Sequence, residues 1–229
     1  MKRTIIALLV ILFIISITSA QKKAKPKTDK SKISYSIGVS VAKNLKSDGI
    51  ELDQAQFIQG IKDELNNSKL QMSEEEIKEA ITMLQKNLGE KMMKKRQAEA
   101  EKNKKEGEAF LNENRKKADV VTLPSGLQYK VITNGNGPKP TADQTVQCHY
   151  IGTFIDGTEF DNSYKRGKPA EFPLKQVIKG WSEILQLMPV GSKWQVFIPS
   201  ELAYGEKGAG SVIGPNETLI FEIELLSIK

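Results

Sequence analysis

The amino-acid sequence predicts an α+β chain. An all-α amino-terminal region with a long connecting helix should lead into an antiparallel β-sheet wrapped around a short helix. Three observations carry this reading. Eight of nine prolines lie at or after Pro124, and none falls between Pro26 and Pro124. Twelve of seventeen glycines follow residue 120. Apolar residues recur at helical spacing before that point and alternate in short segments after it.

The first element is an address. Met1-Lys2-Arg3 is basic, Ile5 to Ile17 is a nearly unbroken apolar run, and Thr18-Ser19-Ala20 are small. These are the three parts of a secretory signal peptide, with cleavage expected after Ala20. These thirteen residues cover only about 20 Å of a ~30 Å hydrocarbon core, which argues against an uncleaved anchor. No cysteine lies near the junction, so a lipoprotein is not expected. The mature chain is expected in the periplasm or cell envelope of a bacterium, or secreted. Residues 21–30 read as a flexible basic lead.

Residues 31–118 read as a helical dimerisation domain and long connecting helix. Ile33, Ile37, Val41 and Leu45 recur every four residues, and Gly49 can end that helix. Asp53 can cap a second, with Phe57, Ile58, Ile61 and Leu65 on one face. Ser73 followed by Glu76 has the form of a capping box for a third helix. That helix can run from Glu74 to about Lys117, roughly 65 Å. Its early part carries Ile77, Ile81, Leu84, Leu88 and Met92. The stretch Lys94 to Glu108 is charged all round and reads as a solvated connector, locally weakened by Gly107. The exposed apolar faces point to a homodimer through residues 31–93.

Residues 119–229 change period. Alternating segments at Leu127–Ile132, Thr145–Phe154, Lys193–Ile198 and Thr218–Ile228 are separated by turns such as Asp156-Gly157. One short helical stretch, Trp181 to Leu187, follows Gly180. Cys148 and Tyr150 should share the inner face, with His149 on the outer one.

Composition removes several chemistries. The chain has 229 residues, one Cys, one His and a formal charge of +6. One Cys forms no internal disulfide, and one His with one Cys cannot complete a zinc site. Adjacent in a strand, Cys148 and His149 cannot pair as nucleophile and base. No GxSxG, HExxH, Walker or GxGxxG pattern is present. The basic excess sits in residues 1–118, but no aromatic residues interleave with the lysine run, so no nucleic-acid partner is expected. What remains is an aromatic set, Tyr150, Phe160, Phe172, Trp181, Tyr204 and Phe221, interleaved with Val177, Ile178 and Ile213 and joined by Asp161. By residue type alone, such a set is a core as readily as a pocket.

Linked motifs decide between those readings. Tyr150-Ile-Gly-Thr, Asp156-Gly-Thr-Glu-Phe160-Asp161, Val177-Ile178-Lys-Gly180-Trp181, Ile198-Pro-Ser-Glu-Leu-Ala-Tyr204-Gly205 and Pro215-Asn-Glu-Thr-Leu-Ile-Phe221 together resemble the FKBP-type peptidyl-prolyl isomerases. The helical half, with Lys32-Ile-Ser-Tyr-Ser-Ile-Gly, resembles the amino-terminal dimerisation domain of macrophage infectivity potentiator-like members. The resemblance implies isomerisation of X–Pro bonds in unfolded or exported polypeptides, with no metal or cofactor. It implies catalytic roles for Tyr150, Asp161 and Tyr204. Substrate contacts would come from Phe160, Arg166, Phe172, Val177, Ile178, Trp181, Ile213 and Phe221, with Asp161 paired to Arg166. It also implies binding of macrolide inhibitors. Ala170 departs from the pattern, standing where many members place an aromatic wall residue. The alternative function is a holdase or binding module whose dimeric cleft grips unfolded clients, with isomerisation incidental.

Overall fold

The computed structural model describes residues 25–229; the expected signal peptide and the first residues of the basic lead lie outside them. The chain divides into two compact units, one ending at Ser73 and one spanning Glu74–Lys229. The second unit therefore begins upstream of the 118/119 boundary drawn from composition.

In the first unit, helix α1 (Asp29–Ser47) starts two residues before the expected boundary at 31. The cause is a capping box. The Thr28 hydroxyl accepts from the Ser31 N–H at 3.2 Å, and the Ser31 hydroxyl accepts from the Thr28 N–H at 3.1 Å. Gly49, at φ 67°, follows the helix end as the sequence suggests. Helix α2 (Gln54–Leu65) is capped by Asp53, whose carboxylate accepts from the N–H groups of Ala55 and Gln56. Neither helix buries a residue.

In the second unit, helix α3 (Glu74–Asn114) has 41 residues and is about 60 Å long. It stops short of Lys117 because the chain tightens there into i→i+3 turns, with Lys116 N–H donating to Glu113 O and Lys117 N–H to Asn114 O. The expectation of a connector solvated all round is corrected. Gly107 within that stretch is buried, as are Leu111 and Asn114 just beyond it. A Cβ on Gly107 would lie 2.2 Å from Thr218 Oγ1, so this glycine permits close approach of the helix to Thr218. Hydrophobic periodicity misses this docking because much of it is made by Arg, Asn and Gly.

Strands β1 (Val121–Thr122), β2 (Gln128–Thr133), β3 (Thr145–Phe154), β4 (Glu159–Asn162), β5 (Ala170–Pro173), β6 (Lys193–Ile198) and β7 (Leu219–Ile228) form one antiparallel sheet. Its order is β1-β2-β6-β7-β3-β4, with β5 also on β3. Helix α4 (Lys179–Leu185) follows a 3-10 turn at Leu174–Gln176. The core packs Trp181, Ile184 and Leu185 of α4 against Val146, Cys148, Tyr150, Val196, Ile198, Phe221 and Ile223 of the sheet. Alternation sends Phe197 to the other face, where Phe110 of α3 meets it at 5.9 Å between ring centroids. Also buried, Asn114 Nδ2 donates to Gln128 Oε1, and Gln128 Nε2 donates to the Leu111 carbonyl, both at 2.9 Å.

Cys148 is fully buried, and burial pushes its thiol up to about 12. His149 is on the outward face but half covered. Its Nδ1 lies 2.9 Å from Ser163 Oγ, and its ring stacks on Tyr164 at 4.3 Å.

Candidate active site

Strand β3 turns Tyr150 and Gly152 to the same face as α4, because both share the parity of buried Val146 and Cys148. Strand β4 runs beside it with Asp161 opposite Gly152, and β7 places Phe221 opposite Gly152 on the other side. A Cβ on Gly152 would lie 2.6 Å from Phe160 Cζ and 2.9 Å from Phe221 Cε1. Glycine here lets two pocket rings close over the strand, an instance of strand glycine marking a close approach.

Trp181 of α4, 4% exposed, stands at the centre. Tyr150, Phe172 and Phe221 meet its ring nearly perpendicular, at 5.1, 5.2 and 5.3 Å. These edge-to-face contacts add directional preference to burial. Together the rings bound a cavity of about 240 Å³. Tyr150, Phe160, Asp161, Phe172, Val177, Ile178, Trp181, Tyr204 and Phe221 line it. Gln176 also lines it. It was missed because a polar residue in a turn carries no periodic signal.

Two expected residues stand elsewhere. Ile213 packs from its loop against the core cluster and does not line the cavity. Arg166 lies behind the wall. Its Nη2 donates to Tyr150 Oη at 2.7 Å, and its Nη1 pairs with Asp161 Oδ1. Ala170 pairs with Cys148 and packs on the core, outside the lining.

The polar edge of the cavity is held by one network. Tyr150 Oη donates to Asp161 Oδ2 at 2.5 Å, and the Asn162 N–H donates to Asp161 Oδ1 at 2.8 Å. Burial works against ionising Asp161, but the hydrogen bonds from Tyr150, Arg166 and Asn162 outweigh it and hold the carboxyl below its ordinary 3.8. Burial and the Asp161 hydrogen bond push the Tyr150 phenol up, so it remains a donor. Two donors at the cavity are unspent. The Ile178 N–H, at the start of α4, makes no hydrogen bond among the described residues. The Tyr204 hydroxyl makes none either, and its residue is 41% exposed. Among the described residues no cluster of His, Cys, Asp and Glu could hold a metal.

Likeness of sequence over the whole chain gives this site its class: this chain belongs to the FKBP-type peptidyl-prolyl cis-trans isomerases. The family model of that description matches residues 137–226, and the model of the domain amino-terminal to such isomerases matches residues 30–131. The chain is 43% identical to the peptidyl-prolyl cis-trans isomerase Mip of Coxiella burnetii, over 100% of this chain and 99% of that one. It is 47% identical to the outer membrane protein MIP of Legionella longbeachae, over 88% of this chain and 87% of that one. The crystal structure of FkpA from Escherichia coli superposes with a TM-score of 0.74 at 36% identity, covering 90% of this chain and 99% of that one. The chain is accordingly a peptidyl-prolyl cis-trans isomerase that acts on proline-containing polypeptides.

Proposed function

We propose that the cavity around Trp181 is where the X–Pro bond turns, and that Asp161 and dry aromatic walls turn it. Amide resonance sets a barrier of ~18–20 kcal/mol by giving C–N double-bond character. The planar amide is the polar, charge-separated form. The twisted amide has a localised carbonyl and a nitrogen that has lost conjugation. A site that disfavours charge on the carbonyl oxygen therefore lowers the barrier. Ring edges replace water there, and the ionised Asp161 carboxylate faces the same space. Trp181 lies under the proline ring, with Tyr150, Phe160, Phe172, Val177 and Phe221 around it. The Ile178 N–H and Tyr204 hydroxyl hold the flanking carbonyls. An acceleration of ~1,000-fold requires only about 4 kcal/mol.

The observation that carries this reading is the unpaired Ile178 donor at the mouth of an aromatic cavity whose one carboxylate is held ionised. The test is protease-coupled isomerisation of a short proline peptide by the full chain. Asp161→Asn and Trp181→Leu should each lower the rate by about tenfold or more, or ~1.4 kcal/mol. Wild-type rates in both folded variants would overturn the assignment. The same cavity is the place for a macrolide inhibitor.

The enzyme works on exported polypeptides, by its basic, apolar and small-residue leader. Among the described residues no helix is long and apolar enough to cross a membrane. It works as a homodimer through residues 31–93. Ile33, Ile37 and Val41 of α1 and Ile58 and Ile61 of α2 are all at least 40% exposed in the single chain. Burying such side chains yields about 1.5–3 kcal/mol each, and a second copy is the partner always at hand.

A further inference from the structure

Tyr204 opens a loop that returns to the sheet at Leu219. Four glycines, Gly205, Gly208, Gly210 and Gly214, leave it short of side-chain anchors. Its base is closed by the Asn216 N–H donating to the Gly205 carbonyl at 2.9 Å, and its tip by a bridge between Ala209 and Ile213. The remaining carbonyls on one side are met by helix α3. Arg96 Nη2 donates to the Lys207 carbonyl at 2.6 Å and approaches that of Glu206 at 3.5 Å. Asn103 Nδ2 donates to the Pro215 carbonyl at 2.9 Å and to Glu217 Oε1 at 3.0 Å. Asn216 Nδ2 answers in reverse, donating to the Ala100 carbonyl at 3.3 Å.

We propose that Arg96 and Asn103 are positioning residues of the isomerase site, bracing from α3 the loop whose first residue, Tyr204, holds the substrate carbonyl. This rests on the assignment of the cavity as the site of isomerisation. Among the described residues the Tyr204 hydroxyl has no hydrogen bond to fix it, so its place depends on the backbone that follows it. A glycine-rich loop loses conformational freedom when it is held, and the two side chains supply bonds that offset that loss. Both lie more than a hundred residues from the loop in sequence and outside the segment matched by the catalytic family model.

The test uses the full chain with the proline-peptide assay. Arg96→Ala and Asn103→Ala should each raise KM about threefold, and the pair about tenfold, with kcat nearly unchanged, as expected when a ground-state contact is loosened. Arg96→Lys should recover most of the loss, since an ammonium can still donate to the Lys207 carbonyl. Amide hydrogen exchange at residues 205–216 should quicken in the pair while β3 and β7 keep wild-type protection. In a Tyr204→Phe background the helix substitutions should add no further KM effect. Lys116→Ala, which removes an ion pair to Glu113 at the carboxyl end of α3, should behave as wild type. A wild-type KM and unchanged loop exchange in Arg96→Ala/Asn103→Ala would overturn the proposal. If Asp161→Asn and Trp181→Leu also keep wild-type rates, it is the cavity assignment that has failed instead.

Discussion

Replacing Gly152 by alanine sets a methyl group 2.6 Å from Phe160 Cζ, 2.7 Å from Phe160 Cε2 and 2.9 Å from Phe221 Cε1. The strand cannot yield, because β3 at this residue is paired to β4 on one side and β7 on the other. Phe221, 5% exposed, has no room to move. Phe160, at the half-buried rim, must swing outward. Overpacking of this kind costs about 1–3 kcal/mol, and the lower backbone entropy of alanine returns about 0.4–1 kcal/mol. The net loss of ~0.5–2 kcal/mol should lower the melting temperature of the second unit by about 2–6 °C. Displacing a cavity wall should lower kcat/KM in the protease-coupled assay by about tenfold, or ~1.4 kcal/mol. Gly152→Ala combined with Phe160→Leu should regain part of the melting temperature, because the two closest contacts are gone while that with Phe221 stays, but not the activity, because the wall is gone too. Wild-type stability and rate in Gly152→Ala would refute the reasoning that this glycine sets the pocket's shape.

Tyr150→Phe removes a donor to Asp161 and an acceptor for Arg166. Asp161 is depressed below 3.8, so its contribution to stability is complete above the unfolded value and is lost as pH falls through the lower folded one. The acid limb of the pH–rate profile should therefore lie below 3.8 in the wild type and move upward in Tyr150→Phe; an unmoved limb would count against ionised Asp161 as the acting group. For the dimer, Ile37→Glu or Ile61→Glu should shift the full chain from dimer to monomer in sedimentation while per-site isomerisation of a short peptide is unchanged. A wild-type monomer would refute the assembly.

The sheet and its pocket were legible because each long strand alternates and each motif carries its aromatic residue at a fixed parity. Tyr150, Phe160, Phe172, Trp181 and Phe221 line one cavity. Short edge strands were harder to read. Glu159–Asn162 and Ala170–Pro173 are too brief to show a period, and their strand form comes from pairing with β3. Ile213 was expected at the cavity by its apolar character, yet its loop turns it onto the core. The capping of α1 by Thr28 lay in plain view, but the apolar period that marks the helix begins only at Ile33.

The docking of α3 alters what counts as the catalytic part. Composition separates a proline-free half from a strand-and-turn half at about residue 118. Yet Gln128 of β2 satisfies its buried amide through Leu111 and Asn114, and Phe197 of β6 is covered by Phe110. A chain cut at residue 119 would expose that face of the sheet and release the glycine loop from Arg96 and Asn103. Each of these contacts is polar or glycine-mediated except the phenylalanine pair, and each spans a sequence distance no periodicity can register. Arg96, Asn103 and Gly107, which make α3 look like a solvated connector, are the residues that bind it to the loop before β7. From Arg96 onward the helix is therefore part of the isomerase domain.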